Sequence, residues 1–259
     1  QAAYTAGDDL LHMCYDFDFL SGTYPSGDQV AAVLERFQRI VTEGWACWAY
    51  SNHDVVRHPT RWALEEPALR AYAALLMSIQ GSVCLYQGEE LGLTEAYVAY
   101  EDLQDPYGKR FWPKFKGRDG SRTPMPWSAD AANGGFTDAR PWLPVAVEHV
   151  ERAVSVQERD PSSTLAFYRA MIAFRKAHPA LVKGTLEVLG HDEGSIALMR
   201  AHDGRRVFCA FNLSGTPREI RLPGPGWRLD RAAPFAVTEA EDHVTLPPWQ
   251  AAFAVADGG

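Results

Sequence analysis

Along the first 90 residues, short apolar or alternating runs are followed by longer runs whose apolar residues recur every three or four positions. The first pattern predicts strands, and the second predicts amphipathic helices. We predict three strands and two helices, at residues 10–20, 46–50 and 82–86 and at residues 28–41 and 67–78. Strand–helix units of about 35 residues indicate βαβ connections and a parallel sheet, either open or closed into a barrel.

The predicted strand at residues 46–50 changes abruptly from apolar to polar at its end. It is followed directly by Asn52, His53, Asp54 and Arg57. Barrel enzymes present their catalytic residues at the C-terminal ends of the strands. We therefore expect this cluster to face a functional site.

Two acids, Glu89 and Glu90, follow the third predicted strand. Adjacent side chains on a strand point to opposite faces, so at most one of the two acids can face the same site. We expect that acid to form a structural ion pair with an arginine from a loop.

The pattern changes after the third strand. Residues 91–163 mix proline, glycine, tryptophan and charge without a sustained period, which predicts a long functional loop. Ser163 then begins one further amphipathic helix. Beyond that helix, turn residues, including the hairpin signature His202-Asp203-Gly204-Arg205, separate short β-type runs. These runs lie at residues 185–189, 195–200, 206–212, 218–222, 244–246 and 251–255. We expect an α/β unit at residues 1–183 and a small antiparallel β-domain at residues 184–259.

The charge balance narrows the choice of partners. The chain carries a net charge of -8 and has a pI near 5.5, which argues against nucleic acid and anionic membrane as partners. No apolar run approaches the roughly 20 residues that a membrane helix needs. Aromatic residues make up 12% of the chain, which suits either an ordinary core or a site for flat ligands such as sugar rings.

The four cysteines, Cys14, Cys47, Cys84 and Cys209, show no CxxC pair and no histidine at metal-ligand spacing. The sequence therefore predicts neither a zinc site nor a disulfide framework, and no cofactor. Three of the cysteines lie in apolar strand-like stretches, where we expect small buried thiols, and we expect a reducing, cytoplasmic compartment. Because the chain opens at Gln1 with neither an initiator methionine nor a signal peptide, we expect it to begin inside a longer protein.

The residue types around Asp54 leave several chemistries open. His53 and Asp54 could form a general acid–base pair, part of a metal site, or a polar clamp for a polyol. A serine nucleophile is not indicated, since no G-x-S-x-G motif is present. In the alternative without function, Asp54 caps the following loop and the histidine is buried and satisfied.

Four segments, taken together, resemble the α-amylase family. Residues 51–57 (S-N-H-D-V-V-R) resemble a family motif whose core is N-H-D, and residues 83–92 (V-C-L-Y-Q-G-E-E-L-G) resemble the stretch at barrel strand eight. Residues 118–127 (R-D-G-S-R-T-P-M-P-W) are similar to the R-D-x-x-R-T-P-M-x-W of the α-glucosidase and oligo-1,6-glucosidase branch. Residues 168–181 (Y-R-A-M-I-A-F-R-K-A-H-P-A-L) resemble the last barrel helix of that branch.

The resemblance implies a role for each matching residue. Asp54 would be a catalytic carboxylate that binds the 2- and 3-hydroxyls of a glucosyl unit and stabilises an oxocarbenium-like transition state. His53 would donate to the same sugar ring, and Arg122 and Arg57 would lie near that subsite. The implied fold is α/β, a partial (β/α)8 TIM barrel with strands six to eight, followed by the β-domain.

The resemblance also implies an incomplete catalytic set. The family nucleophile, an aspartate in a G-F-R-x-D-type motif, has no match in this chain. We expect the general acid glutamate to be missing as well, because its position would lie just before Gln1. Retaining glycosidases need both carboxyl groups. We therefore expect the C-terminal half of a retaining, exo-acting α-glucosidase, inactive alone, whose partners are the N-terminal half of the same enzyme and an α-glucoside oligosaccharide or disaccharide.

Three alternatives stay open at this point. Within the family, a transglucosidase or sucrose isomerase would share these motifs. A non-catalytic relative, such as the heavy chain of an amino-acid transporter, would share the fold alone. A bare carbohydrate-binding β-module would fit only the residues after Gly184 and would leave the other motifs unexplained.

Overall fold

The computed structural model describes residues 1–7, 9–20 and 22–256. Three short parallel strands form an arc of sheet within the first 83 residues. Its strands are β1 (Cys14–Tyr15), β2 (Ala46–Trp48) and β3 (Ser82–Val83), in the order β1-β2-β3. Tyr15 pairs with Cys47, and Trp48 pairs with Val83, so the strands end at a common edge. All three strands are shorter than the apolar runs that predict them.

Three long helices cover this sheet. They are α2 (Gly27–Ile40), α4 (Glu66–Leu76) and α8 (Thr164–Ala177). Ser26 and Gln29 close a capping box at the start of α2, and the Ser163 hydroxyl caps α8 as the sequence predicts. The apolar faces of these helices bury against the sheet around the fully buried Trp48.

The long loop between β3 and α8 contains short elements rather than a structureless chain. Its helices are α5 (Pro106–Phe111), α6 (Val147–Val150) and α7 (Val154–Gln157), and its 3₁₀ turns are Glu89–Leu91, Tyr100–Asp102, Asp119–Ser121 and Ala132–Gly135. Small apolar clusters, such as the one that Val98, Leu103 and Leu143 form, hold it together. The other short helices of the chain are α1 (Ala2–Thr5), α3 (His58–Trp62) and α9 (Pro179–Lys183).

The rest of the described chain forms two antiparallel sheets. The strands are β4 (Thr185–Asp192), β5 (Ser195–His202), β6 (Arg205–Asn212), β7 (Arg218–Arg221), β8 (Trp227–Leu229), β9 (Thr238–Glu239), β10 (His243–Leu246) and β11 (Ala251–Ala256). Their orders are β4-β5-β6-β11-β8 and β7-β10-β9. Asp203 and Gly204 have φ values of 48° and 79°, as a two-residue hairpin turn between β5 and β6 requires.

One buried arginine ties the two parts together. Arg200 of β5 is fully buried, and its guanidinium donates to the carbonyl oxygens of Ser78, Leu181 and Gly184. Burial lowers the pKa of Arg200 to about 10. These three bonds reach the ends of α4 and α9, and a fourth bond runs to the carbonyl of Thr185 at the start of β4, so the sheet is fixed against the helices.

The edge at β1 leaves apolar side chains in solvent. Leu10, Leu11, Met13 and Phe17 are each close to half exposed or more.

Cys84, just after β3, is also exposed, so the prediction of a buried thiol is wrong there, although it holds for Cys47 and Cys209. Within the described ranges, no helix is both long enough and apolar enough to span a membrane.

Candidate active site at the ends of the parallel strands

The loop after β2 presents Asp54 at the surface. The backbone N–H of Asp54 donates to the side-chain oxygen of Asn52 at 2.8 Å, which closes a tight turn. The side chain of Asp54 is 50% exposed. A carboxylate in this position is held by the turn and remains open to a ligand.

Two arginines converge on one oxygen of this carboxylate. Asp54 Oδ1 accepts from Arg118 Nη1 at 2.9 Å and from Arg122 Nη2 at 3.1 Å. Asp54 Oδ2 lies 3.4 Å from His53 Nε2. Arg122 also donates through Nε to the backbone carbonyl of His53 at 2.8 Å. One carboxylate oxygen is thus anchored, while the other faces the imidazole and can accept from hydroxyl groups.

The long loop delivers both arginines through a short 3₁₀ turn. The turn Asp119–Ser121 separates Arg118 from Arg122, so their side chains can reach the same acceptor. Asp119 is buried, and its Oδ2 accepts from the backbone N–H groups of Gln104 and Asp105 at 2.6 and 2.8 Å. This bonding fixes the turn within the loop and sets the position of the arginines.

Arg118 has a second carboxylate partner. Its Nε donates to Asp105 Oδ2 at 2.9 Å, and its Nη2 donates to Asp105 Oδ1 at 3.1 Å. The hydrogen bonds from Arg118 lower the pKa of Asp105 to about 2. The pKa of Arg118 is raised, first by its hydrogen bond to Asp105 and then by that to Asp54. Arg118 therefore bridges a buried carboxylate and an open one.

Arg57 lies behind this surface. Only 1% of the residue is exposed, and its guanidinium donates to the carbonyl oxygens of Gln87 at 2.7 Å and Ser121 at 2.9 Å. It also stacks over the ring of Tyr86, with its Cζ 5.0 Å from the ring centroid. These contacts join the loop after β2 to the loop after β3, and they do not bring Arg57 to the Asp54 carboxylate.

Glu89 lies in the interior as well. It starts a 3₁₀ turn rather than ending a strand, and its Oε1 accepts from the Tyr168 hydroxyl at 3.1 Å. Burial raises the pKa of Glu89 to about 7. The expected ion pair with a loop arginine is replaced by this neutral partner from α8, so Glu89 belongs to the packing behind the site.

The structure adds two residues to those expected from the sequence, Arg118 and Asp105. Arg118 lies in the same R-D-G-S-R segment as Arg122, and the shared spacing was a usable signal for it. Asp105 carries no such signal, because its contact with Arg118 depends on how the loop folds.

The surroundings of Asp54 are an open surface. A cleft of about 710 Å³ lies elsewhere, between α4, α8 and the β-sheets, and its lining includes Glu66, Arg70 and Phe235 but no member of the Asp54 cluster. In the part of the chain that the structure describes, no three histidine, cysteine, aspartate or glutamate side chains come together so as to hold a metal ion.

Comparison with known proteins places these motifs in context. The family model described as "Alpha amylase, catalytic domain" matches residues 6–184. A probable α-glucosidase of Rhizobium meliloti (strain 1021) is 50% identical over 97% of this chain, which covers 46% of that protein. The chain spans about half the length of the curated relatives it matches.

Solved structures share the fold over nearly the whole chain. The α-glucosyl transfer enzyme XgtA superimposes with a TM-score of 0.90 at 47% identity, over 98% of this chain and 48% of that one. The trehalulose synthase MutB from Pseudomonas mesoacidophila MX-45 gives a TM-score of 0.79 at 25% identity, over 95% of this chain and 51% of that one. The arc of parallel strands and the β-sheets therefore correspond to a partial barrel followed by a β-domain.

Proposed function

The chain belongs to the α-amylase family, and on that premise we propose that it is the C-terminal half of a retaining α-glucosidase. The complete enzyme would hydrolyse short α-glucosides from the non-reducing end or transfer their glucose. The observation that carries this proposal is the Asp54 carboxylate, with one oxygen anchored by Arg118 and Arg122 and the other beside His53.

In this proposal, Asp54 binds two neighbouring hydroxyls of the glucosyl unit and stabilises positive charge as the glycosidic bond breaks. A carboxylate with one oxygen held by two guanidinium groups does not have to reorient when that charge develops. His53 donates to the same sugar ring, and Arg122 fixes both Asp54 and the backbone of His53. Arg57 acts in the proposal by joining the two loops rather than by touching the sugar.

The remaining chemistry is assigned to an N-terminal half. A retaining glycosidase needs a nucleophilic carboxylate and an acid/base carboxylate on either side of the scissile bond. We propose that both come from that half, so this chain alone is inactive. The exposed Leu10, Leu11, Met13 and Phe17 beside the unpaired edge of β1 support such a partner, since apolar groups at a sheet edge favour association. We also propose a cytoplasmic enzyme, from the four free thiols.

Substitution of Asp54 by asparagine in the full-length enzyme tests the proposal. We expect Asp54→Asn to lower kcat on maltose by about 1,000-fold or more, because the amide cannot offset positive charge in the transition state. The melting temperature should change little, since Asp54 is half exposed. Asp203→Asn, at the exposed hairpin turn, is a matched control and should leave turnover unchanged. Near-normal turnover of Asp54→Asn would remove the assignment.

A transglucosidase or sucrose isomerase is the second candidate, favoured by the similarity to XgtA and to MutB. Analysis of the products that the full-length enzyme forms from sucrose and from maltose separates the three activities. Release of free glucose supports hydrolysis, new oligosaccharides support transfer, and an isomer of sucrose supports isomerisation. Absence of all three with every tested glucoside would favour a non-catalytic relative.

A further inference from the structure

We infer that Asp105 is a positioning residue for the proposed reaction, and that it acts by fixing the guanidinium of Arg118 against Asp54. The inference rests on the proposed function for its consequence in turnover. Its structural content, which is the dependence of the Arg118–Asp54 contact on Asp105, can be tested separately.

The first observation is that Asp105 has no acceptor capacity to spare. Its side chain is fully buried. Oδ2 accepts from the backbone N–H and the Nε of Arg118, both at 2.9 Å, and Oδ1 accepts from Arg118 Nη2 at 3.1 Å and from the backbone N–H of Tyr107 at 3.2 Å. Three of its four bonds thus go to one residue, Arg118.

The planar shape of arginine links the bonds with Asp105 to the position of the guanidinium at Asp54. A guanidinium is planar, and its Nε and Nη2 edge matches the two oxygens of a carboxylate. With that edge engaged by Asp105, the remaining Nη1 can point in one direction only, and it lies 2.9 Å from Asp54 Oδ1. A lysine in place of Arg118 would present a single charged nitrogen and could not reproduce the paired, planar contact with Asp105.

The loop is built closely around Asp105. Its backbone N–H donates to the buried Asp119, so the carboxylate that precedes α5 is fixed at the main chain too. Gly117 has a φ of 82°, and a Cβ on it would lie 3.0 Å from Asp105 Oδ2 and 2.8 Å from the Cα of Gly108. Only glycine allows the chain to approach this closely, and the approach brings the backbone N–H of Arg118 onto Asp105.

The negative charge of Asp105 also affects the electrostatics around Asp54. Arg118 and Arg122 both face Asp54, and Asp105 offsets one of these two positive charges at short range. The low pKa of Asp105, about 2, means that it is ionised at neutral pH. Without this counter-charge, two cations would face the region in which we propose that positive charge develops on the sugar.

A simpler role for Asp105 is that of the N-cap of α5, through its bond to Tyr107. The two roles respond differently to asparagine. Asparagine caps helices about as well as aspartate, so a pure cap would survive the substitution. The paired bonds to Arg118 would not survive, because the amide nitrogen is a donor that faces another donor.

The experiment compares three variants of the full-length enzyme, Asp105→Asn, Arg118→Lys and the double variant, with p-nitrophenyl α-glucoside as substrate. We expect kcat to fall about 10- to 100-fold in each single variant, while KM changes less than threefold. The double variant should be no worse than the worse single variant, since the two residues act as one unit. Asp102→Asn is the matched control, because Asp102 lies on the same loop in an exposed pair with Arg140.

A crystal structure of the Asp105→Asn enzyme provides the readout that does not depend on turnover. We expect the distance between Arg118 Nη1 and Asp54 Oδ1 to increase from 2.9 Å to more than about 3.5 Å, beyond hydrogen-bond range. If Arg118 keeps that contact, or if kcat of Asp105→Asn is normal while Asp54→Asn is inactive, Asp105 is not a positioning residue. Multiplied losses in the double variant would also overturn it. If Asp105→Asn fails to fold, Arg118→Lys with normal kcat gives the same negative answer. Loss of the proposed function itself would show as normal turnover of Asp54→Asn.

Discussion

Two polar clusters follow the same strand of this molecule, and they differ in how their hydrogen-bonding capacity is used. The clamp cluster consists of His53, Asp54, Arg118 and Arg122, and its aspartate is half exposed. The rear cluster consists of Arg57, His58, Glu89 and Tyr168, and each of its members is buried. Both clusters combine residues of the loop after β2 with residues of later segments.

The difference lies in the partners. In the clamp cluster, charged side chains meet one another and leave Asp54 Oδ2 beside the imidazole of His53. In the rear cluster, Arg57 donates to two backbone carbonyls and Glu89 accepts from a tyrosine hydroxyl. A charged residue whose donors are used by backbone groups maintains the fold, whereas one with an open acceptor can bind a ligand. Proximity in sequence is a poor guide, since Asp54 and Arg57 are three positions apart.

Removal of Arg57 tests whether the rear cluster maintains the fold. We expect Arg57→Met to lower the free energy of unfolding of the full-length enzyme by about 3 kcal/mol, because the buried side chain loses its bonds to the carbonyls of Gln87 and Ser121 and its contact with the Tyr86 ring. Denaturant titration measures the loss, and KM of the folded fraction should stay near the wild-type value. An Arg57→Met enzyme with normal stability and a raised KM would place Arg57 in the clamp cluster instead.

Removal of Arg122 is the counterpart in the clamp cluster. Arg122→Met should lower kcat/KM for maltose by about 100-fold, since Asp54 loses a charged partner and His53 loses its backbone anchor. Its stability should change by less than about 1 kcal/mol, because exposed ion pairs contribute little to folding. Steady-state kinetics and a thermal melt on the same sample check both parts. A large loss of stability without a loss of kcat/KM would show that Arg122 maintains the fold rather than the site.

The pH dependence of folding gives the smallest of these effects. Burial lowers the pKa of His58 to about 3 from an ordinary value near 6.5. Below pH 6.5 the unfolded chain therefore binds a proton that the folded chain does not, and stability is lost as the pH falls towards 3. Between pH 6.5 and 5 we expect His58 to cost about 2 kcal/mol of unfolding free energy.

One variant attributes that slope to His58. His58→Asn should remove this contribution, because asparagine does not titrate and its oxygen can replace Nδ1 as the partner of Ser51. The measurement is denaturant unfolding of the full-length enzyme at pH 5 and pH 7. Equal slopes in the wild type and His58→Asn would show that His58 is not buried as a neutral side chain.

The periodic parts of the chain could be predicted from the sequence. The three parallel strands with the helices α2 and α4, the cap at Ser163 and the hairpin at Asp203 and Gly204 follow local rules, and the structure confirms them. The α-amylase motifs gave the family, and the comparisons confirm it. The short strands β8 and β9 were missed, because three and two residues leave no period to read.

Other features depend on long-range contacts and could not be predicted. Asp105 meets Arg118 only because the loop folds back on itself, and Arg57 is enclosed by carbonyls from two later segments. The exposure of Cys84 depends on which strands lie beside β3. The lengths of the strands depend in the same way on ladder partners rather than on apolar runs.

The bond between Arg118 and Asp54 joins residues 64 positions apart, and this separation has a consequence for biosynthesis. Chains fold as they emerge from the ribosome, from the N-terminal end onwards. Asp54 and its strand leave the ribosome well before the arginines that orient the carboxylate. A nascent chain that ends before residue 118 would thus carry β1, β2 and β3 with Asp54 unanchored. The clamp cluster is completed only when the loop is synthesised, so premature termination there would leave the aspartate without its arginines.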